Sequence, residues 1–160
     1  MGSDLRAIYL QDHWAGSTVG TELAKRAASS NAGTELGDFL GRLSGELDSD
    51  RQALRAIMVE LEVGVDRLKS SAAWGAEKLG RLKPNGRLFS YSPLSRLVEL
   101  EGLHVGISGK LSLWQNLQAT SAAEISADLG NLIARAQGQL AELEPYRTAA
   151  ASEAFAGPSS

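Results

Sequence analysis

Glu101 and His104 stand three residues apart, a spacing that brings a carboxylate and an imidazole onto one face of a helix. Such a Glu-x-x-His pair can grip one metal ion from a single helix. His104 also falls in an apolar row of Leu97, Leu100, His104, Ile107, Leu111 and Trp114, whose steps of three and four trace one helical face. An imidazole set in such a row needs a partner, because a buried polar group without a hydrogen bond is costly. Two readings follow. In the first, Glu101 and His104 join Glu46, Asp50 and the first-helix carboxylate Asp12 around one ion. That oxygen-rich set with one nitrogen suits iron or manganese. In the second, the same groups form a polar network inside a core, with Asp50 paired to Arg26 or Arg96 and His104 to Glu101, Asp12 or Tyr9. A network of that kind persists only when every member is satisfied. The second reading is preferred, since one histidine on an apolar face falls short of the ligand count of a metal site. The expected cofactor is therefore none, with iron or manganese as the alternative. His13, the other histidine, neighbours Asp12 and Trp14, but helical spacing keeps Asp12 and His13 from sharing the centre of one face.

Other chemistry is thin. The 160 residues include no cysteine, which excludes disulfides, zinc-thiolate centres and thiol nucleophiles. There is no Gly-x-Ser-x-Gly elbow, and no glycine-rich phosphate loop follows a strand. Lys78, Arg81, Lys83 and Arg87, beside Phe89 and Tyr91, could dock an acidic partner or a phosphate; the simpler reading is a solvated helix end. A net charge of −3 argues against nucleic acid as a partner. No apolar run approaches the length of a membrane span. The first residues lack a secretory apolar region, and Arg6 stands where a myristoylation signal wants Ser or Thr, so the expected location is cytoplasmic.

These side chains must be positioned by helices. A first periodic stretch runs from Asp4 to Ser29 through Leu5, Ile8, Tyr9, Ala15, Val19, Leu23 and Ala27, with Ser3 as its cap. On that pattern Asp12 and Glu22 face inward. A second runs from Thr34 to Val63 and stops at Gly64 as the residue after the cap. A third begins with Ser92 as cap and Pro93 at the first helical position and continues to Gln118. Ser121 and Glu124 read as a capping box opening the fourth, which Pro145 ends or kinks. The expected domain is residues 1–146, followed by a flexible or frayed tail, 147–160. Residues 65–91 form a long crossover containing a short extra helix, the turn Lys83-Pro84-Asn85-Gly86 and an extended stretch.

Short links within each helix pair and a long crossover between pairs predict an all-α bundle of two antiparallel hairpins. With the Tyr9-Leu10-Gln11-Asp12-His13 start and Glu101-Gly102-Leu103-His104, this layout resembles the ferritin-like four-helix bundle superfamily, in particular uncharacterised bacterial members with an incomplete di-metal site. Active members take a Glu from each of two helices and a Glu-x-x-His from each of the other two. Carried over, the pattern breaks: Glu46 is followed at that spacing by Ser49, Glu142 by Pro145 and Asp128 by Asn131. The only intact Glu-x-x-His lies on the third helix, where the resemblance implies a lone carboxylate.

Five glycines interrupt two helices: Gly16 and Gly20 in the first, Gly102, Gly106 and Gly109 in the third. Each costs about 1 kcal/mol against alanine. They imply close approach of those helices or grooves for Trp14, Trp74 or Trp114; exposed faces and a ligand against bare backbone are the alternatives. The expected function is a non-catalytic bundle acting as an interaction or oligomeric scaffold, with stress physiology as a setting and an unidentified protein as partner. Leu10, Trp14, Val59 and Leu113 are the expected apolar surface for a homo-oligomer. The alternative is a metal-binding oxidase or iron-handling protein.

Overall fold

A computed structural model of the chain describes residues 2–64 and 90–157. They form four long helices and no strands: α1 (Gly2–Ser30), α2 (Glu35–Glu60), α3 (Pro93–Ser121) and α4 (Leu129–Phe155), with a 3₁₀ turn at Ala122–Glu124. The expected crossover helix, its turn and the basic cluster Lys78–Arg87 lie outside the described residues. No described helix is long and apolar enough to cross a membrane.

Local chemistry sets most helix starts. Thr34 caps α2, its hydroxyl accepting from the Gly37 N–H at 3.1 Å. Ser92 caps α3 in a reciprocal box with Ser95, and Pro93 follows it. Helix ends depart from the sequence reading. α1 already includes Gly2, so Ser3 is an interior position and not its cap. α2 stops at Glu60, and the left-handed residue is Glu62 (φ 55°) instead of Gly64. The N–H of Val63 bonds to Met58 O at 2.8 Å and that of Glu62 to Val59 O at 3.1 Å, a Schellman closure. Val63 is buried there, and its packing offsets the strain of a non-glycine in that conformation. Ser121 makes no side-chain cap, and Asp128, accepting from Asn131 N–H at 2.9 Å, opens α4 instead. Pro145 lies inside α4, which carries on to Phe155. The exposed proline forfeits one backbone bond. Tyr146 stacking on Phe39 (ring centroids 5.1 Å apart) and the burial of Ala150 hold the following turns. Residues 147–155, expected as a frayed tail, are helical.

α1 packs on α2 and α3, α3 on α4, and α2 more lightly on α4. The side-chain contacts fix the register. Arg6, Tyr9 and Arg26 of α1 meet Glu124, Asn116 and Glu99. Arg42, Glu46, Asp50 and Glu60 of α2 meet Glu142, Gln139, Arg135 and Ser126. The core between the helices holds Leu10, Leu40, Leu43, Ile57, Met58, Leu100, Leu103, Ile107, Leu113, Trp114 and Leu143, all fully buried. Three residues expected at the surface, Leu10, Trp14 and Leu113, are therefore core; only Val59 is exposed. The expected inner face of α1 holds in part: Ala15, Leu23 and Ala27 are buried, whereas Leu5 and Ile8 are exposed and Leu10, Trp14, Thr21 and Ala24 also point inward.

Candidate functional site

The centre of the bundle holds a charged cluster around Asp50, which is 3% exposed. Asp50 lies in the row Leu43, Leu47, Asp50, Leu54 and Ile57 of α2, so helical spacing carries it into the core. Its carboxylate accepts from the Lys110 ammonium of α3 and from the Arg135 guanidinium of α4. Gln139 Nε2 donates to Asp50 Oδ2 at 3.3 Å and to Glu46 Oε2 at 2.9 Å, while its Oε1 accepts from Lys110. Burial pushes the Lys110 pKa below its ordinary value, and the Asp50 charge opposes that shift. Glu46, Asp50, Lys110 and Arg135 contribute two negative and two positive charges, so the cluster is neutral as it stands.

The five residues proposed from sequence do not gather. Asp50 and Glu46 meet through Gln139. Glu101 is exposed, and with the half-buried His104 it lies toward the Glu144–Arg147 ion pair of α4, on a different side of α3 from Lys110. Asp12 is exposed, as is Glu22, which pairs with Lys25 at 3.1 Å. Among the described residues no three carboxylates or imidazoles could share an ion. The expected partners of Asp50 are engaged elsewhere. Arg26 reaches Glu99 at 3.4 Å; Arg96 reaches Asn31 at 3.0 Å and Glu153 at 2.6 Å. Burial raises the Glu99 pKa, with Arg26 pulling it back.

Sequence reading missed Lys110, Arg135 and Gln139. The signal was present for two of them. Lys110 falls in the buried row Leu103, Ile107, Lys110 and Trp114, and Gln139 in Leu132, Ala136, Gln139 and Leu143. Tracking that row one residue earlier than His104 and Leu111 places Leu103 in the core and His104 at its edge.

Beside the cluster, α1, α2 and α3 line a partly open cavity of about 400 Å³. Gly16, Gly20, Gly106 and Gly109 line it, and a Cβ on any of them would meet nothing within 4 Å. Only Gly102 of the five helix glycines serves close packing, with Leu23 Cδ2 3.0 Å from where its Cβ would stand. Arg51 lines the cavity and lies over the Trp14 ring at 4.3 Å. Trp74, one of the expected groove fillers, lies outside the described residues.

His13 also lines this cavity, edge-on to Tyr9 at 4.6 Å between centroids. Burial pulls its pKa below the ordinary 6.5, more strongly than Asp12 raises it. The unfolded chain then takes up a proton near that ordinary value while the folded chain does not, so stability falls as the pH drops below it and levels off under the folded pKa. We expect His13→Gln to lack this contribution. In urea titrations from about pH 7.5 to about pH 5.5, the stability of the native protein relative to the variant should decline toward acid. A constant gap would refute the assignment.

No family model, curated protein or solved structure matches the chain.

Proposed function

We propose that this chain is a non-catalytic bundle of ferritin-like layout, two antiparallel helix hairpins, working as an interaction or oligomeric scaffold. The observation that carries the reading is the self-neutralised centre. Lys110 and Arg135 supply Asp50 with the positive charge that a metal would bring elsewhere. A divalent ion placed there would face two cations within a few ångströms, a repulsion that a low-dielectric interior magnifies. The donor set does not fit iron or manganese. The hairpin layout is supported by contacts within each pair: Gln11 meets Gly64 and Trp14 meets Arg51 between the first two helices, and Arg96 meets Glu153 and Lys110 meets Gln139 between α3 and α4. Leu94, Val98 and Val105, the last at 70%, are exposed on one face of α3 around the exposed Glu101, which suits contact with a second copy or another protein. The proposal keeps the cytoplasmic location expected from the sequence.

Anaerobic titration with iron(II) or manganese(II), alongside elemental analysis of the native protein, tests the reading. The expected result is no stoichiometric metal and no saturable uptake. A saturable site lost in His104→Ala would overturn it. Light scattering should show an assembly larger than one chain, dispersed by Val105→Asp without loss of helix content; a monomer at all concentrations would remove the oligomeric form of the proposal.

A further inference from the structure

The scaffold reading leaves the cavity between α1, α2 and α3 unused. Its volume of about 400 Å³ is well over twice the roughly 150 Å³ of an apolar cavity that takes up benzene. Leu47, Leu54, Leu103, Ile107 and Leu113 make most of its wall apolar. The rest of the space exists because side chains are missing. Gly16 and Gly20 stand one turn apart on α1, Gly106 and Gly109 about one turn apart on α3, and none of the four has a neighbour where its Cβ would be. Each weakens its helix relative to alanine without serving helix contact. The result is a slot whose opposing walls include bare backbone.

Besides Tyr9, His13, Ser17 and Thr21, the wall carries two further pairs of polar groups. Asp50 and Lys110 satisfy each other. Trp114 and Arg51 do not find acceptors: Trp114 is 1% exposed and its indole Nε1 has no hydrogen-bond partner, and the buried Arg51 Nε has none either. Among the described residues Arg51 has no carboxylate partner. Both unsatisfied groups are donors, and a buried donor without an acceptor is costly. With one uncompensated cation, and the exposed Asp12 at the rim to repel further negative charge, the site suits a single anionic group.

We propose that this cavity binds a flat, apolar monocarboxylic acid, its ring body in the slot between the glycines and its carboxylate held by the Arg51 guanidinium. The flat body follows from the glycine walls, which leave space for a ring to lie against backbone. The carboxylate follows from Arg51, a cation on the wall that has no carboxylate partner among the described residues. This site is independent of whether the chain assembles with itself.

The test uses 2-naphthoate as probe on the full chain, followed by calorimetry and by intrinsic tryptophan fluorescence, to which Trp14, Trp74 and Trp114 all contribute. Comparators are 2-naphthamide, which keeps the ring without the charge, and decanoate, which keeps the charge on a flexible chain. Saturable binding of one 2-naphthoate per chain is expected, about tenfold tighter than 2-naphthamide. Arg51→Met should bring the two affinities together. Gly20→Leu and Gly109→Leu fill the slot and should abolish binding while the helix content and melting profile persist. The outcomes that overturn the proposal are no saturable 2-naphthoate binding, equal affinity for the amide, or binding indifferent to both leucine variants. Decanoate binding as tightly as 2-naphthoate would overturn the flat-ring assignment. Light scattering on the same samples separates this site from the scaffold reading, since its outcome does not depend on 2-naphthoate.

Discussion

Asp50→Ala will be among the most destabilising single substitutions in the chain, at about 3–5 kcal/mol. The alanine removes the acceptor shared by Lys110, Arg135 and Gln139 and leaves two cations beside each other near the bundle centre. The Lys110 side chain is 15% exposed and already has its pKa lowered by burial, so it has little water to turn to. Arg135, at 32%, can reorient outward and absorb part of the loss. Removing both sides of the pair should cost much less than removing one. Asp50→Leu combined with Lys110→Leu replaces a buried ion pair by packed apolar groups, an exchange that is often neutral or stabilising. Urea denaturation of the single and double variants provides the check. An Asp50→Ala variant within about 1 kcal/mol of the native protein would mean that the cluster is not buried as described.

Gly37→Ala will destabilise by about 3 kcal/mol, opposite in sign to the usual effect of replacing a helix glycine. A Cβ at position 37 would stand 2.2 Å from the carbonyl oxygen of Asn31 and 2.8 Å from its carbonyl carbon. Both are backbone atoms, so no rotamer change relieves the clash. Asn31 cannot easily move. Its Nδ2 donates to Ala27 O at 2.8 Å and to the Tyr91 hydroxyl at 2.9 Å, and its Oδ1 accepts from Arg96 Nε at 3.0 Å. Its backbone oxygen also accepts from Thr34 Oγ1 at 2.6 Å. The turn between α1 and α2 is thus pinned to the start of α3. Gly41 and Gly45, on the same helix with open space where a Cβ would go, are internal controls. Alanine at either should stabilise by about 1 kcal/mol. Thermal melts of the three variants should show one large decrease and two small increases; three increases would show that the turn opens freely.

The two effects share a cause in long-range geometry that local pattern does not encode. Asp50 stands inward by its spacing in the leucine row, and that much was legible. Its partners are 60 and 85 residues away. Helical spacing sets Lys110 in a buried row, but nothing local pairs it or Arg135 with Asp50 in place of Arg26 or Arg96, the expected partners, because pairing depends on which helices adjoin and at what height. The metal set of Glu101, His104, Glu46, Asp50 and Asp12 fails to converge for the same reason: helical periodicity gives a face, but not the direction that face takes in the bundle.

Local forces determined the four long helices, the Thr34 and Ser92 caps and Pro93 at a first turn, since capping and apolar spacing act within a few residues. They did not determine where helices stop when packing compensates a poor residue, as at Glu62 and Pro145. They placed Ala15, Leu23 and Ala27 on the inner face of α1 but missed Leu10, Trp14, Thr21 and Ala24, because glycine, alanine, serine and threonine dilute its apolar pattern and leave the choice to contacts with α2 and α3. Likewise the sequence marked the four glycines as unusual, yet only the tertiary structure made them the wall of a cavity. A missing side chain is visible in sequence; the space it leaves depends on what stands opposite.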